Sequence, residues 1–171
     1  MNSDIDKHAK TDASAPAQYL TFMLGGESFG IGIMAVKEII EFGSVTEVPM
    51  MPASIRGVIN LRGAVVPVMD LAARFGRPPA VPGKRTCIVI VELDLEGERQ
   101  VTGVVVDAVS AVLDIPAAEI EPAPSFGTRI RGDFIAGMGK VNGKFVILLN
   151  VEQVLRIEGL PELSSTDLAA A

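Results

Sequence analysis

Few side chains in this 171-residue sequence could do covalent chemistry. The one histidine, His8, sits in a polar N-terminal run, far from the one cysteine, Cys87. A Ser-His or Cys-His pair inside a fold therefore has no histidine to draw on. Cys87 lies in a Val/Ile run, where a thiol acts as a small hydrophobe and nothing nearby is placed to stabilise a thiolate. Asp94, Glu96 and Glu98 lie close together, but their spacing completes no calcium loop and reads as a solvated hairpin end. No spacing of Cys, His and carboxylates suggests a metal site, and no cofactor is expected. One motif supports a reading from another class, a small nucleotide-binding enzyme. Gly30-Ile31-Gly32-Ile33-Met34-Ala35 fits the dinucleotide pattern G-x-G-x-x-G/A. Its glycines lie inside an apolar run after a hairpin turn, however, and no second βαβ unit follows. What is left is surface chemistry. Arg62 tips an otherwise apolar hairpin, and Glu38 lies on the polar side of a short amphipathic turn. Spacing alone reads them as two solvated charges. Brought together by the fold, they would form an ion pair at the rim of an apolar cleft.

The elements that must position these groups are short. Gly57–Leu61 and Ala64–Met69 are two apolar runs joined by Arg62-Gly63, a β-hairpin with Gly63 free to take positive φ. Pro67 lacks an N–H, which predicts an edge or a barrel rim. Asp70 is a good N-cap for a helix Leu71–Phe75, and Gly76 a good stop. Upstream, Gln18–Leu24 and Glu27–Ile33 read as strands around Gly25-Gly26. Met34–Phe42 reads as an amphipathic helix or helical turn, Val45–Val48 as a strand, and Ala53–Arg56 as one helical turn. Downstream, Thr86–Leu95 and Val101–Val106 predict a buried hairpin. Val109–Ile115, Ile120-Glu121-Pro122, Phe134–Val141 and Phe145–Asn150 predict further strands, with Asn142-Gly143 a type I′ turn signal and Val151–Ile157 a last short helix. Residues 1–17 and 159–171 read as tails, and 77–83, dense in Pro and Gly, as a linker.

The totals narrow the partners. A formal net charge of -6 argues against nucleic acid, whose phosphates need a basic face, and against an anionic membrane surface. No apolar run approaches the roughly 20 residues of a membrane span. The polar start is no secretory signal, and one cysteine suits a reducing cytoplasm.

Laid together, the two halves repeat in order. Gly26-Glu27 matches Gly97-Glu98, and Ala35-Val36 matches Ala108-Val109. Val48-Pro49 matches Glu121-Pro122, and Ile55-Arg56-Gly57 recurs as Ile130-Arg131-Gly132. Gly63 with Val65–Leu71 matches Gly143 with Phe145–Val151. Two copies of one all-β unit follow, each of about five strands, which most easily loses its edges by closing into a barrel. The first barrel is expected over about 18–76 and the second over about 84–158, with an apolar cleft between them. Val104, Val105, Val106 and Val109 read as core before contact.

The run Phe22–Ile33, Val36-Lys37-Glu38-Ile39, Val48-Pro49, Ile55–Gly63, Val66–Leu71 and Gly103–Val109 resembles the CheW family of bacterial chemosensory coupling proteins. The resemblance implies an all-β fold of two SH3-like five-stranded β-barrels with a few short helices. It implies a non-catalytic, cytoplasmic adaptor between the cytoplasmic tip of a methyl-accepting chemotaxis receptor and the regulatory domain of the CheA histidine kinase. A paralogous adaptor of a pilus-motility or other non-flagellar pathway would share the same motifs. Carried over by position, the receptor site implied is Val36, Glu38, Arg62, Val105 and Val109. Gly57, Val112 and Phe126 are the implied kinase or array contacts.

Overall fold

The computed structural model describes residues 16–122 and 132–156. Alternating Val, Ile and Leu runs punctuated by Gly make eleven strands among the described residues. In the first half these are β1 (Pro16–Leu24), β2 (Glu27–Gly32), β3 (Val36–Glu41), β4 (Ile55–Leu61) and β5 (Ala64–Asp70). The second half supplies β6 (Cys87–Leu95), β7 (Glu98–Val106), β8 (Ala108–Pro116), β9 (Ile120–Glu121), β10 (Ile135–Val141) and β11 (Lys144–Leu149). Short helices cover Leu71–Arg74 and Val151–Leu155. All four tight hairpins turn through two consecutive left-handed residues: Gly25-Gly26, Arg62-Gly63, Glu96-Gly97 and Asn142-Gly143. That is the geometry whose twist matches paired strands.

The two halves interlock. One sheet runs β8-β1-β2-β11-β10-β9, the other β3-β6-β7-β5-β4. Each takes its first hairpin from one half, and its third strand and second hairpin from the other. The equivalence extends to the parallel joins, β2 to β11 in one sheet and β5 to β7 in the other. The sequence repeat is therefore real, but neither barrel is one contiguous half, as 18–76 and 84–158 had implied. A hairpin cannot close a barrel alone, and the partner strands it meets are those of the other copy.

Both barrels close in the same way. After β3 the chain returns so that Thr46 pairs with Val58, with N–H···O distances of 2.9 and 2.8 Å in the two directions. After β8 a 3₁₀ turn leads to β9, which pairs with Met138 and Gly139. The expected strand at Val45–Val48 is thus a single bridge, and the sixth strand of the larger sheet is its counterpart. The matching bulges place Ile135-Ala136-Gly137, not Ile130-Arg131-Gly132, as the equivalent of Ile55-Arg56-Gly57. Ile130 and Arg131 lie outside the described residues.

Three apolar cores result. Ile59, Val66, Val68, Ile88, Ile90 and Val105 fill one barrel, and Ile115, Val146 and Leu148 the other. The largest lies between the barrels. There Phe22, Phe29 and Phe75 stack in series and Phe134 tilts against Phe75, with ring centroids 5.6–5.9 Å apart. The cleft expected at this seam is a packed core, with a residual cavity of only about 20 Å³. Burying apolar area at about 25 cal/mol per Å² favours closing such a furrow whenever both faces are apolar.

Two other expectations resolve locally. Pro67 is not on an edge strand, but it pairs only with β4, one residue before the β7 ladder begins at Val68. Asp70 does cap the helix Leu71–Arg74, accepting from Ala73 N–H at 3.2 Å. β1 begins at Pro16, two residues inside the expected N-terminal tail.

Candidate functional site

Glu38 sits on a strand, not on the helical turn expected over Met34–Phe42. Only Ile33–Ala35 form a 3₁₀ turn. From Val36 the chain pairs with β6, so β-branched residues at half-exposed positions override the helical spacing. A bulge between Val36 and Glu38 changes the face each presents. Val36 lies opposite Val91 and packs on the seam, while Glu38 lies opposite Ile90 at the rim of the barrel. Ile39 faces the seam side again, where it is 41% exposed.

Arg62 is held by its turn. It has φ 51, a left-handed conformation uncommon for a non-glycine residue. Gly63 follows at φ 90, and its N–H donates to Asn60 Oδ1 at 2.9 Å. That geometry aims the Arg62 guanidinium across the open side of the barrel. Its two terminal nitrogens each donate to one oxygen of Glu38, with Nη1 to Oε1 at 3.3 Å. The hydrogen bond from Arg62 holds the Glu38 carboxyl below the usual carboxylate range, and Glu38 raises Arg62 in turn. The forked geometry fixes both side chains in orientation.

Val109 and Val112 occupy the equivalent strand, β8, on the edge of the other sheet. Val109 lies opposite Phe22 and is half-buried, as Val36 is opposite Val91. Val112 lies opposite Leu20 and is 48% exposed, matching Ile39 opposite Val89. The symmetry-related position to Glu38 is Ala111, so only one edge carries the charged pair.

Two carried-over positions belong to the fold. Val105 is fully buried inside the barrel, 0% exposed, and offers nothing to a receptor. Gly57 has φ 151, and a Cβ there would stand 2.7 Å from the Thr46 carbonyl carbon. Its requirement is the backbone approach that closes the barrel. Phe126 lies outside the described residues.

Sequence reasoning also missed Arg56, which it placed in a helical turn. Arg56 Nη1 donates to the buried Asp70 carboxylate at 3.0 Å and to Ala80 O at 2.8 Å. Asp70 also accepts from Ala80 N–H at 3.0 Å, so one carboxylate pins both the helix and the linker. The signal was present: Asp70 is an acid at the end of an apolar strand, and such a group needs partners.

Nothing here has the form of a phosphate loop. Gly30 is mid-strand, and a Cβ there would meet Leu148 Cδ2 at 3.1 Å and Val146 Cγ1 at 3.3 Å. Strand packing accounts for that glycine. Among the described residues no group of three or more His, Cys, Asp and Glu could hold a metal, and no helix is long and apolar enough to cross a membrane.

The doubled, interlocked barrels and the forked pair can be set beside known proteins. The family model described as CheW-like domain matches residues 18–159. This chain belongs to the CheW-like family. It is 36% identical to the chemotaxis protein CheW of Klebsiella aerogenes, over 82% of each chain. It is 33% identical to CheW of Rhizobium meliloti, over 88% of this chain and 94% of that one. Its structure is similar to that of the scaffolding protein TtCheW from Thermoanaerobacter tengcongensis, with a TM-score of 0.76 and 35% identity. That match covers 88% of this chain and 94% of the other.

Proposed function

We propose that this protein is a non-catalytic chemotaxis scaffold that couples the cytoplasmic tip of a methyl-accepting receptor to the CheA kinase. The observation that carries this reading is the Glu38–Arg62 fork beside the exposed edge of β3. Val36 and Ile39 there offer an apolar strip that a receptor helix can cover, with the charged fork at its rim. Rim charges choose partner and register more than they add affinity. With the seam between the barrels packed, the receptor tip would lie along the outer edge of β3. The second edge on β8 repeats the apolar strip without the charges, and it carries Val112 together with Val109, which the resemblance had set at the receptor site. A kinase or array contact there would leave the receptor edge free, which is what a bridging protein requires.

The test is co-purification with a receptor cytoplasmic fragment and CheA together. The expected result is a ternary complex that loses the receptor on Glu38→Arg and keeps it on Val112→Asp. Retention of the receptor by Glu38→Arg at wild-type level would overturn the assignment of the β3 edge.

A further inference from the structure

A cavity of about 530 Å³ shares no lining residue with the Glu38–Arg62 surface. Leu24 and Ala72 contribute apolar lining, and Arg77, Lys84 and Arg85 also line it. Three of the chain's 15 Lys and Arg residues thus line one cavity, in a chain of net charge -6. Arg77 is engaged by Glu27 at 2.6 Å. Lys84 and Arg85 are exposed and form no ion pair with a described residue. The one carboxylate in the lining, Asp107, is already accepting from Gly25 N–H at 2.8 Å.

We propose that this cavity is a docking site for an acidic peptide segment bearing apolar side chains. The pairing follows from charge and shape. Lys84 and Arg85 would meet carboxylates, while the Leu24 and Ala72 lining would take an aliphatic side chain. Val81, 87% exposed and also in the lining, adds an apolar contact beyond the cavity that an extended segment can use and a compact anion cannot. The cavity volume falls within the roughly 300–1,000 Å³ of ligand sites. The connection that carries Val81 is fixed at Ala80 by Asp70 and Arg56, so the wall is already formed.

The experiment is fluorescence anisotropy of the full chain with a fluorescein-labelled peptide of alternating leucine and glutamate. A peptide with lysine in place of glutamate is the control. The acidic peptide is expected to bind saturably, and about ten-fold more weakly to the Lys84→Glu/Arg85→Glu double variant. Both positions are exposed, and an unchanged circular dichroism spectrum and thermal melt verify the fold. Glu38→Arg is expected to leave peptide binding intact, which separates this site from the receptor edge. Equal affinity of wild type and double variant, or equal binding of the lysine peptide, would overturn the proposal. Displacement of the peptide by equimolar inorganic phosphate would also overturn it, and would make the cavity a small-anion site.

Discussion

Glu38 and Arg62 come from opposite edges of one five-stranded sheet and meet in a two-point ion pair that spans the closed barrel. Both groups are at the rim, so the pair is a poor source of stability and a good source of orientation. Arg62 also holds a left-handed φ that asparagine adopts more readily, as Asn142 does in the equivalent turn. Arg62→Asn is therefore expected to lose receptor-fragment binding while melting at or slightly above the wild-type temperature. Arg62→Ala should lose binding to the same degree with a slightly lower melt. A large fall in melting temperature with normal binding would make Arg62 a structural residue.

The same pair sets a pH dependence. The Arg62 hydrogen bond lowers the Glu38 pKa on folding, so its contribution to stability is fully present above the unfolded value. That contribution is lost as pH falls through the lowered, folded value. The carboxyl resonance of Glu38 in an NMR titration should move at lower pH than an ordinary glutamate. In Arg62→Ala it should move back up towards the ordinary range. An unchanged midpoint in that variant would mean that the fork does not persist in solution.

Gly57 is where the fold and a carried-over contact separate. A Cβ at this position would overlap the Thr46 carbonyl, which the barrel closure cannot move without breaking both Thr46–Val58 hydrogen bonds. Gly57→Ala combines overpacking with an unfavourable φ, for about 2–5 kcal/mol of destabilisation. A thermal or urea melt reads this directly. If the variant melts normally and fails only in assembly, Gly57 is a contact residue after all.

Asp70 shows what a strand-end acid can hide. Its 1% exposed carboxylate accepts from Arg56, Ala73 and Ala80. Asp70→Ala removes the cap and strands Arg56, which should cost roughly 3 kcal/mol or more by urea denaturation. Asp70→Asn keeps a capping oxygen, as Asn150 provides for Gln153 in the other half, and should lose appreciably less. Equal losses would show that the cap contributes little beside the Arg56 pair.

The hairpins were legible because turn chemistry is local: Arg62-Gly63 and Asn142-Gly143 declare themselves in two residues. The strand β3 was not, because Val36, Ile39 and Ile40 fit helical spacing as well as an edge strand. Pairing with β6, about fifty residues away, decides between them. Glu38 and Arg62 were legible as residues, and only the closure of the barrel brings them together. Val105 was legible as core, because Val104–Val106 read as an unbroken buried run, and only the carry-over by position set it at the receptor site. The repeat was legible, but which copy pairs with which was not, since each hairpin has the same pattern and pairing is chosen in three dimensions.

That exchange of strands makes a further demand on folding. Residues 16–76 alone would leave β1 and β2 without β8 and β11, β3 without β6, and β5 without β7. The aromatic stack would also lose Phe134, and the carbonyls at the end of the second helix would lose Arg74. Each half then exposes apolar faces and unpaired edges that it cannot bury alone. Fragments 1–80 and 81–171 are expected to be unfolded or aggregated when expressed singly, and to reassemble when co-expressed. The reassembled pair should show the circular dichroism and receptor binding of the intact chain. An independently folded, monomeric 1–80 fragment with a cooperative melt would contradict the interlocked sheets.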